Sequence, residues 1–293
     1  IVYPAHGPGT NCGKNLVQET VTTIGEQRRE NYALRAKTRE EFIQAVTSGL
    51  DEAPPYFSVN ARINKEGYGS LEDIKQRGLS PLSVQDWKEK ITEDTLILDT
   101  RPAAAFSGGF VPGSIFIGLE GRFAEWAGSI LPFRQRIFLI TAPGKEEETI
   151  VRLSRVGFEN VEGYLEGGFA AWQKAGEPID LLIEVEADEL AMDIPYDDNL
   201  VIIDVRKESE FAEGHVKDAI NLPLNDMADV AQIAQLEETQ NIYVHCGSGY
   251  RSVIAASILK KQGYHNLRNI AGGWAKIKEQ KNIETEKDAS VLN

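Results

Sequence analysis

Residues 79–178 and 181–282 repeat one another at an offset of 105 residues, so the larger part of the chain is expected to fold as two copies of one unit. The offset lays Asp99 on Asp204, Arg101 on Arg206, Phe106 on Phe211 and Gly167-Gly168 on Gly272-Gly273. In each copy short apolar runs alternate with helical patterns. The first has strands expected at 96–101, 136–140 and 161–165, with a helix at 84–91 capped by Ser83 and another at 150–155. The second has strands at 200–205, 241–245 and 266–270, with helices at 187–192, 227–235 and from just after Arg251 to a C-terminal stop at Gly263. Such alternation implies an α/β fold, a mainly parallel sheet with helices on both faces. The link after Gly176-Glu177-Pro178 is short, so the copies are expected to pack together.

The copies part company at one loop. In the second, a strand ends at Cys246 and Gly247-Ser248-Gly249-Tyr250-Arg251-Ser252 leads into a helix. Two glycines permit positive φ and a tight turn, so that successive N–H groups converge beside the positive end of the helix dipole. An anion is stabilised there. Cys246 can supply that anion as a thiolate or carry it as a persulfide, which makes it the candidate nucleophile, with Arg251 beside it. The alternative is a small buried thiol with no chemistry. In the first copy Thr141 stands where the cysteine would be, followed by Pro143 and by Glu146, Glu147 and Glu148. The helix at 150–155 aligns at an offset of 106, which predicts a loop one residue shorter. A missing thiol, a proline without an N–H and like charges all predict a silent unit. Asp204 and Arg206 recur in that silent copy and are expected to be a structural ion pair. His215, matched by Phe110, is expected to pack or cap, and His245, matched by Ile140, to face away from the loop.

The six-residue ring from Cys246 to Arg251 resembles the active-site loop of rhodanese-type sulfurtransferases. Val201–Arg206, Glu210–Val216 with Ala219–Pro223, and Ala271-Gly272-Gly273-Trp274 resemble that family's other motifs, in order. The resemblance implies two rhodanese-like domains, the second active and the first inactive, with sulfane-sulfur transfer through a Cys246 persulfide. Cys246 and Arg251 would be catalytic, and Gly247, Ser248, Gly249, Tyr250 and Ser252 substrate-binding. The rhodanese step would need no cofactor. Cysteine phosphatases place five residues between Cys and Arg, where this chain has four, Gly247 to Tyr250. A phosphatase and a non-catalytic binding or scaffold module are the alternatives.

Residues 1–78 resemble the C-terminal end of metallo-β-lactamase-fold proteins, in the persulfide dioxygenase-like branch fused to rhodanese domains. The motifs are Tyr3-Pro4-Ala5-His6-Gly7, Cys12-Gly13-Lys14, Thr23-Ile24-Gly25-Glu26 and Pro55-Tyr56-Phe57. The resemblance makes this segment a remnant in which His6 matches a metal ligand. The family's His-x-His-x-Asp-His motif is absent from the sequence given, and one imidazole does not hold a catalytic metal. Fe or Zn is therefore expected only where an intact metallo-β-lactamase-like domain exists. Cys12 is either a second sulfur carrier or a bystander thiol. Helices are expected after Thr23 and over 39–46, the latter stopped by Gly49, and an extended segment over 53–57 because residues before proline avoid the helical region.

The net charge of −14 argues against nucleic acid or an anionic membrane as partner. Two cysteines make no disulfide framework, and no apolar run reaches the ~18 residues of a membrane span. A cytoplasmic protein acting on small-molecule sulfur donors and thiol acceptors is the expectation, with a homo-oligomer left open. The start at Ile1, without Met and inside an apolar run, reads as a fragment, and the tail from Asn282 is expected to fray.

Overall fold

The computed structural model describes residues 1–4, 20–48 and 54–288; His6, Cys12, Gly49 and the last five residues of the tail lie outside the described residues. Residues 1–53 form one compact unit and 54–293 another. In the first, Val2 bridges Thr22, and helices α1 (Ile24–Glu30) and α2 (Arg39–Thr47) follow. Thr23 and Glu26 form a reciprocal capping box on α1, and Thr38 caps α2.

The second unit opens with α3 (Pro55–Glu66) and α4 (Leu71–Gly78), ahead of the expected domain start at 79. Helix α3 corrects the extended segment expected over 53–57. Pro54 is indeed extended (φ −54°, ψ 142°), but it serves as the N-cap, and Pro55 takes the first helical position, where its missing N–H costs nothing. Ile74 of α4 is buried in the core of the domain that follows, so these helices pack with that domain.

The first α/β domain runs β1 (Pro81–Leu82), α5 (Val84–Lys90), β2 (Thr95–Asp99), α6 (Ala103–Ser107), β3 (Ile115–Phe116), α7 (Phe123–Ile130), β4 (Arg136–Ile140), α8 (Glu146–Ser154), β5 (Val161–Leu165) and α9 (Gly168–Lys174). The second runs β6 (Ile183–Val185), α10 (Ala187–Asp193), β7 (Leu200–Asp204), α11 (Glu208–Ala212), β8 (His215–Val216), β9 (Ile220–Asn221), α12 (Val230–Ile233), β10 (Asn241–His245), α13 (Tyr250–Lys261), β11 (Leu267–Ile270), α14 (Trp274–Ile277) and β12 (Thr285–Glu286). Each domain holds a five-stranded parallel sheet, in the order β1-β5-β4-β2-β3 and β6-β11-β10-β7-β9. Central strands are buried on both faces, which is why they read as unbroken apolar runs. The tail does not fray where it is described: β12 pairs antiparallel with β8, and Ile283 is buried. The helix expected over 227–235 is interrupted. A 3₁₀ turn at Asp226–Ala228 ends at Asp229, whose carboxylate accepts the Ala231 N–H and restarts the chain as α12. No helix among the described residues is long and apolar enough to cross a membrane.

One apolar core continues through both domains, joining Phe116 and Ile117 of the first to Ile254 and Ile258 of the second. Helix α13 packs on β3 and α6. The Phe116 N–H donates to Ser257 Oγ at 2.9 Å, and Lys260 pairs with Asp180 at 2.9 Å. The helix that follows Cys246 is thus held by the first domain as well as by its own sheet.

Candidate active site

Strand β10 delivers Cys246 to the C-terminal edge of its sheet, where the residue is 1% exposed. The Gly249 N–H donates to Cys246 Sγ at 3.1 Å. Gly249 has φ +102°, the conformation in which a side chain would be strained, and α13 starts immediately after it. The helix therefore begins at Tyr250, before Arg251 rather than after it, and Gly249 alone of the two loop glycines needs positive φ. The first N–H groups of a helix have no intrahelical acceptor, so Tyr250, Arg251 and Ser252 present theirs at this end. Ser252, fully buried, donates to Gly249 O at 2.9 Å and lies 3.7 Å from Sγ, underneath the loop. The Tyr250 hydroxyl points away from the sulfur and donates to Gly118 O of the first domain at 3.1 Å. Burial pushes its pKa up to about 12, so it remains a donor at any working pH.

The Gly-Gly-Trp motif closes the loop from behind. The Trp274 N–H donates to Cys246 O at 2.6 Å and the Ala275 N–H to Gly247 O at 3.1 Å. Gly273 has φ +55°, and a Cβ there would sit 2.3 Å from Cys246 O. Only glycine lets the two segments meet. The Trp274 ring carries the Arg206 guanidinium at 4.7 Å, while Arg206 donates to both oxygens of Asp204 and to Gly214 O. The first domain repeats this with Asp99, Arg101, Gly109 O and Phe169. The pair is part of the frame in both copies. His215 stacks on Phe211 with centroids 3.6 Å apart. His245 is fully buried, and burial holds its pKa below the usual imidazole value, so it is neutral. Its Nε2 has no hydrogen-bond partner and lies 3.8 Å from Asp204 Oδ2.

Arg251 lies against the loop, where a Cβ on Gly247 would meet its Nη2 at 3.1 Å, and it is already engaged. Its Nη1 and Nη2 donate to the two oxygens of Glu210 at 2.6 and 2.8 Å, a bidentate pair. Hydrogen bonding to Arg251 keeps the Glu210 carboxyl below its ordinary pKa and pushes Arg251 up. Glu210 escaped the sequence reading as a site residue. The repeat held the signal: at Glu210 the first copy has Ala105, and at Arg251 it has Glu146, so the carboxylate occurs only where the arginine does.

The Thr141 loop of the first copy is built on the same backbone. Gly144 has φ +76° and precedes Gly249 by the offset of 105. The turn glycine itself is not shifted: the offset is 105 at Gly144 and has become 106 at Leu153, whose carbonyl accepts from the Phe158 N–H as that of Leu259 does from Tyr264, so the missing residue lies between them. A bulge in β5 near Gly163 restores the register. What differs is the occupant. Glu146 Oε1 accepts from the Gly144 N–H at 3.3 Å and from Thr141 Oγ1 at 3.1 Å. A carboxylate of the chain itself fills the place where an anionic sulfur would go. Glu147 and Glu148 turn outward to Lys75 and Lys145.

Residues 83–175 and 186–280 match the rhodanese-like domain family. The chain belongs to the rhodanese family. It is 32% identical over 90 residues to the putative sulfur carrier protein YrkF of Bacillus subtilis, covering 31% of this chain and 48% of that protein. It is 34% identical over 89 residues to a putative mitochondrial thiosulfate sulfurtransferase of Schizosaccharomyces pombe, covering 27% and 63%. The chain thus spans about half to under two thirds of these relatives' length. The crystal structure of the Alr3790 protein from Anabaena is similar over 36% of this chain and 82% of that one, at 26% identity and a TM-score of 0.34. The two α/β domains are tandem rhodanese domains. Among the described residues no three His, Cys, Asp or Glu side chains are grouped to hold a metal. His6 and Cys12 lie outside the described residues.

Proposed function

We propose that the chain is a sulfurtransferase that carries sulfane sulfur on Cys246. The observation that carries this reading is the Gly249 N–H directed at Cys246 Sγ, in a loop where the silent copy holds a carboxylate instead. In the first half-reaction the Cys246 thiolate attacks the outer sulfur of thiosulfate. A Cys246 S–S bond forms, the S–S bond of thiosulfate breaks, and sulfite leaves with the electron pair. In the second, a thiolate or cyanide attacks the outer sulfur of the persulfide, and Cys246 leaves as thiolate. No external oxidant or reductant is consumed. Loop N–H groups hold the persulfide anion, and Arg251, set by Glu210, keeps positive charge beside it. Thiosulfate–cyanide turnover and aryl phosphate hydrolysis, measured side by side, test the reading. Sulfur transfer should dominate; faster phosphate hydrolysis would favour the phosphatase alternative.

The metallo-β-lactamase resemblance carries a second proposal. Residues 1–78 would belong to a domain that, when intact, would hold Fe for oxidation of a persulfide by dioxygen, or Zn for hydrolysis, while the rhodanese domains handle its sulfur. The support is the motif series from Tyr3 to Phe57. Sequencing the gene upstream of Ile1 tests it, and a coding region without His-x-His-x-Asp-His would sink it.

A further inference from the structure

A cavity of about 370 Å³ opens beside the Cys246 loop, and its walls come from both domains. The active domain contributes Lys207, Glu210, Ser248 and Arg251; the silent domain contributes Arg122 and Trp126, at and within the first turn of α7. The volume falls in the ~300–1,000 Å³ range of small-molecule sites and is far more than cyanide or thiosulfate fills. On a chain of net charge −14, Arg122 and Arg251 face one lining carboxylate, Glu210, which Arg251 already engages. Glu125, one turn along α7, pairs with Arg122, but both groups are about half exposed, where such a pair is weak and exchangeable.

The segment bearing Arg122 is also fixed. Tyr250 of the catalytic loop donates to Gly118 O, and Arg152 donates to the carbonyls of Leu119 and Gly121. The wall is thereby tied to the loop on one side and to its own domain on the other. A site whose walls are held in advance loses less on binding.

We propose that the silent domain supplies the acceptor subsite, with Arg122 and Trp126 selecting anionic, multi-atom thiols that carry a carboxylate remote from the sulfur. This rests on the sulfurtransferase reading of Cys246. The thiol sulfur reaches the persulfide while its carboxylate meets Arg122 and its chain lies along the Trp126 ring. The thiol and the Cys246 persulfide anion give the acceptor's persulfide anion and the Cys246 thiol. One S–S bond forms as one breaks, and the acceptor's proton ends on Cys246.

The test loads the full chain with thiosulfate, removes the excess, and follows sulfur transfer to glutathione, 2-mercaptoethanol and cysteamine at equal thiolate concentration. The wild type should favour glutathione over cysteamine, and Arg122→Glu should cut that ratio about tenfold at low salt, an effect that salt compresses. Trp126→Ala should slow glutathione more than 2-mercaptoethanol. Arg122→Lys, which keeps the charge, should retain most of the ratio. Arg122 is exposed, so its variants test the site without unfolding the domain. A ratio indifferent to Arg122→Glu, in protein that loads sulfur normally, overturns the subsite and leaves the sulfurtransferase reading standing. A wild type that takes up no sulfur overturns both.

Discussion

The Cys246 loop and the Thr141 loop are two answers to the same backbone. Both follow a buried central strand, both turn at a positive-φ glycine, and both stand on an Asp-x-Arg pair packed under an aromatic ring. One loop offers an N–H to a cysteine sulfur, and the other to its own Glu146. Fold and chemistry separate cleanly here. The frame survives in the copy without a thiol, so the frame is about folding. The thiol, the Glu210–Arg251 pair and the close Gly273 contact occur only in the other copy, and these are what the proposed reaction would use. The first copy packs on α13 and accepts the Tyr250 hydroxyl at Gly118 O.

The comparison breaks most sharply at Cys246. Cys246→Ser should reduce sulfur transfer by about a thousandfold or more, because no other group in the loop can form a persulfide. Gly273→Ala should follow, with a loss of stability of about 1–3 kcal/mol and at least tenfold in rate, since the new Cβ meets Cys246 O and the backbone is strained. Gly168→Ala, its counterpart, meets Thr141 O only at 3.4 Å and should leave turnover near wild type, with about 1–2 kcal/mol lost to its φ of +58°. Equal effects of the two alanines on rate would dissolve the distinction between the loops.

Glu210→Gln should slow sulfur loading several-fold by releasing Arg251, as stopped-flow loading would show. The pair also sets a pH dependence. Glu210 is held below its ordinary pKa, so its stabilisation is fully present above the unfolded value and is lost as pH falls through the lowered folded value. Acid titration of Tm should show that loss in wild type and less of it in Glu210→Gln. The smallest expected effect is none: Thr141→Cys in a Cys246→Ser background should gain no sulfur, because Glu146 occupies the Gly144 N–H. Adding Glu146→Ala is the sharper version, since loading there would show the carboxylate to be what blocks the loop.

Strands β4 and β10 were legible to the residue, because a doubly buried strand is an apolar run with little else to be. The cysteine loop was legible because its chemistry demands a local spacing. Pro54-Pro55 was misjudged because a second proline can begin a helix as readily as it extends a chain. Asp229 split an expected helix through a side-chain cap that competes locally with the helical pattern. Glu210 was missed, and Glu146 was read as one of three like charges rather than as the acceptor of the Gly144 N–H, for a different reason. Each acts on a loop group whose position depends on the fold, and no period in the sequence places a carboxylate on a particular guanidinium or N–H. The interdomain wall of Arg122 and Trp126 is likewise a product of packing alone.

The central claim is that Cys246, and no group in the silent loop, accepts sulfane sulfur. Mass spectrometry of the intact chain and its peptides after brief thiosulfate treatment tests this most directly. The account predicts one added sulfur atom, located on the peptide holding Cys246 and removed by cyanide. An unmodified Cys246 peptide under conditions where thiosulfate is consumed, or sulfur lodged elsewhere in the chain, would contradict it.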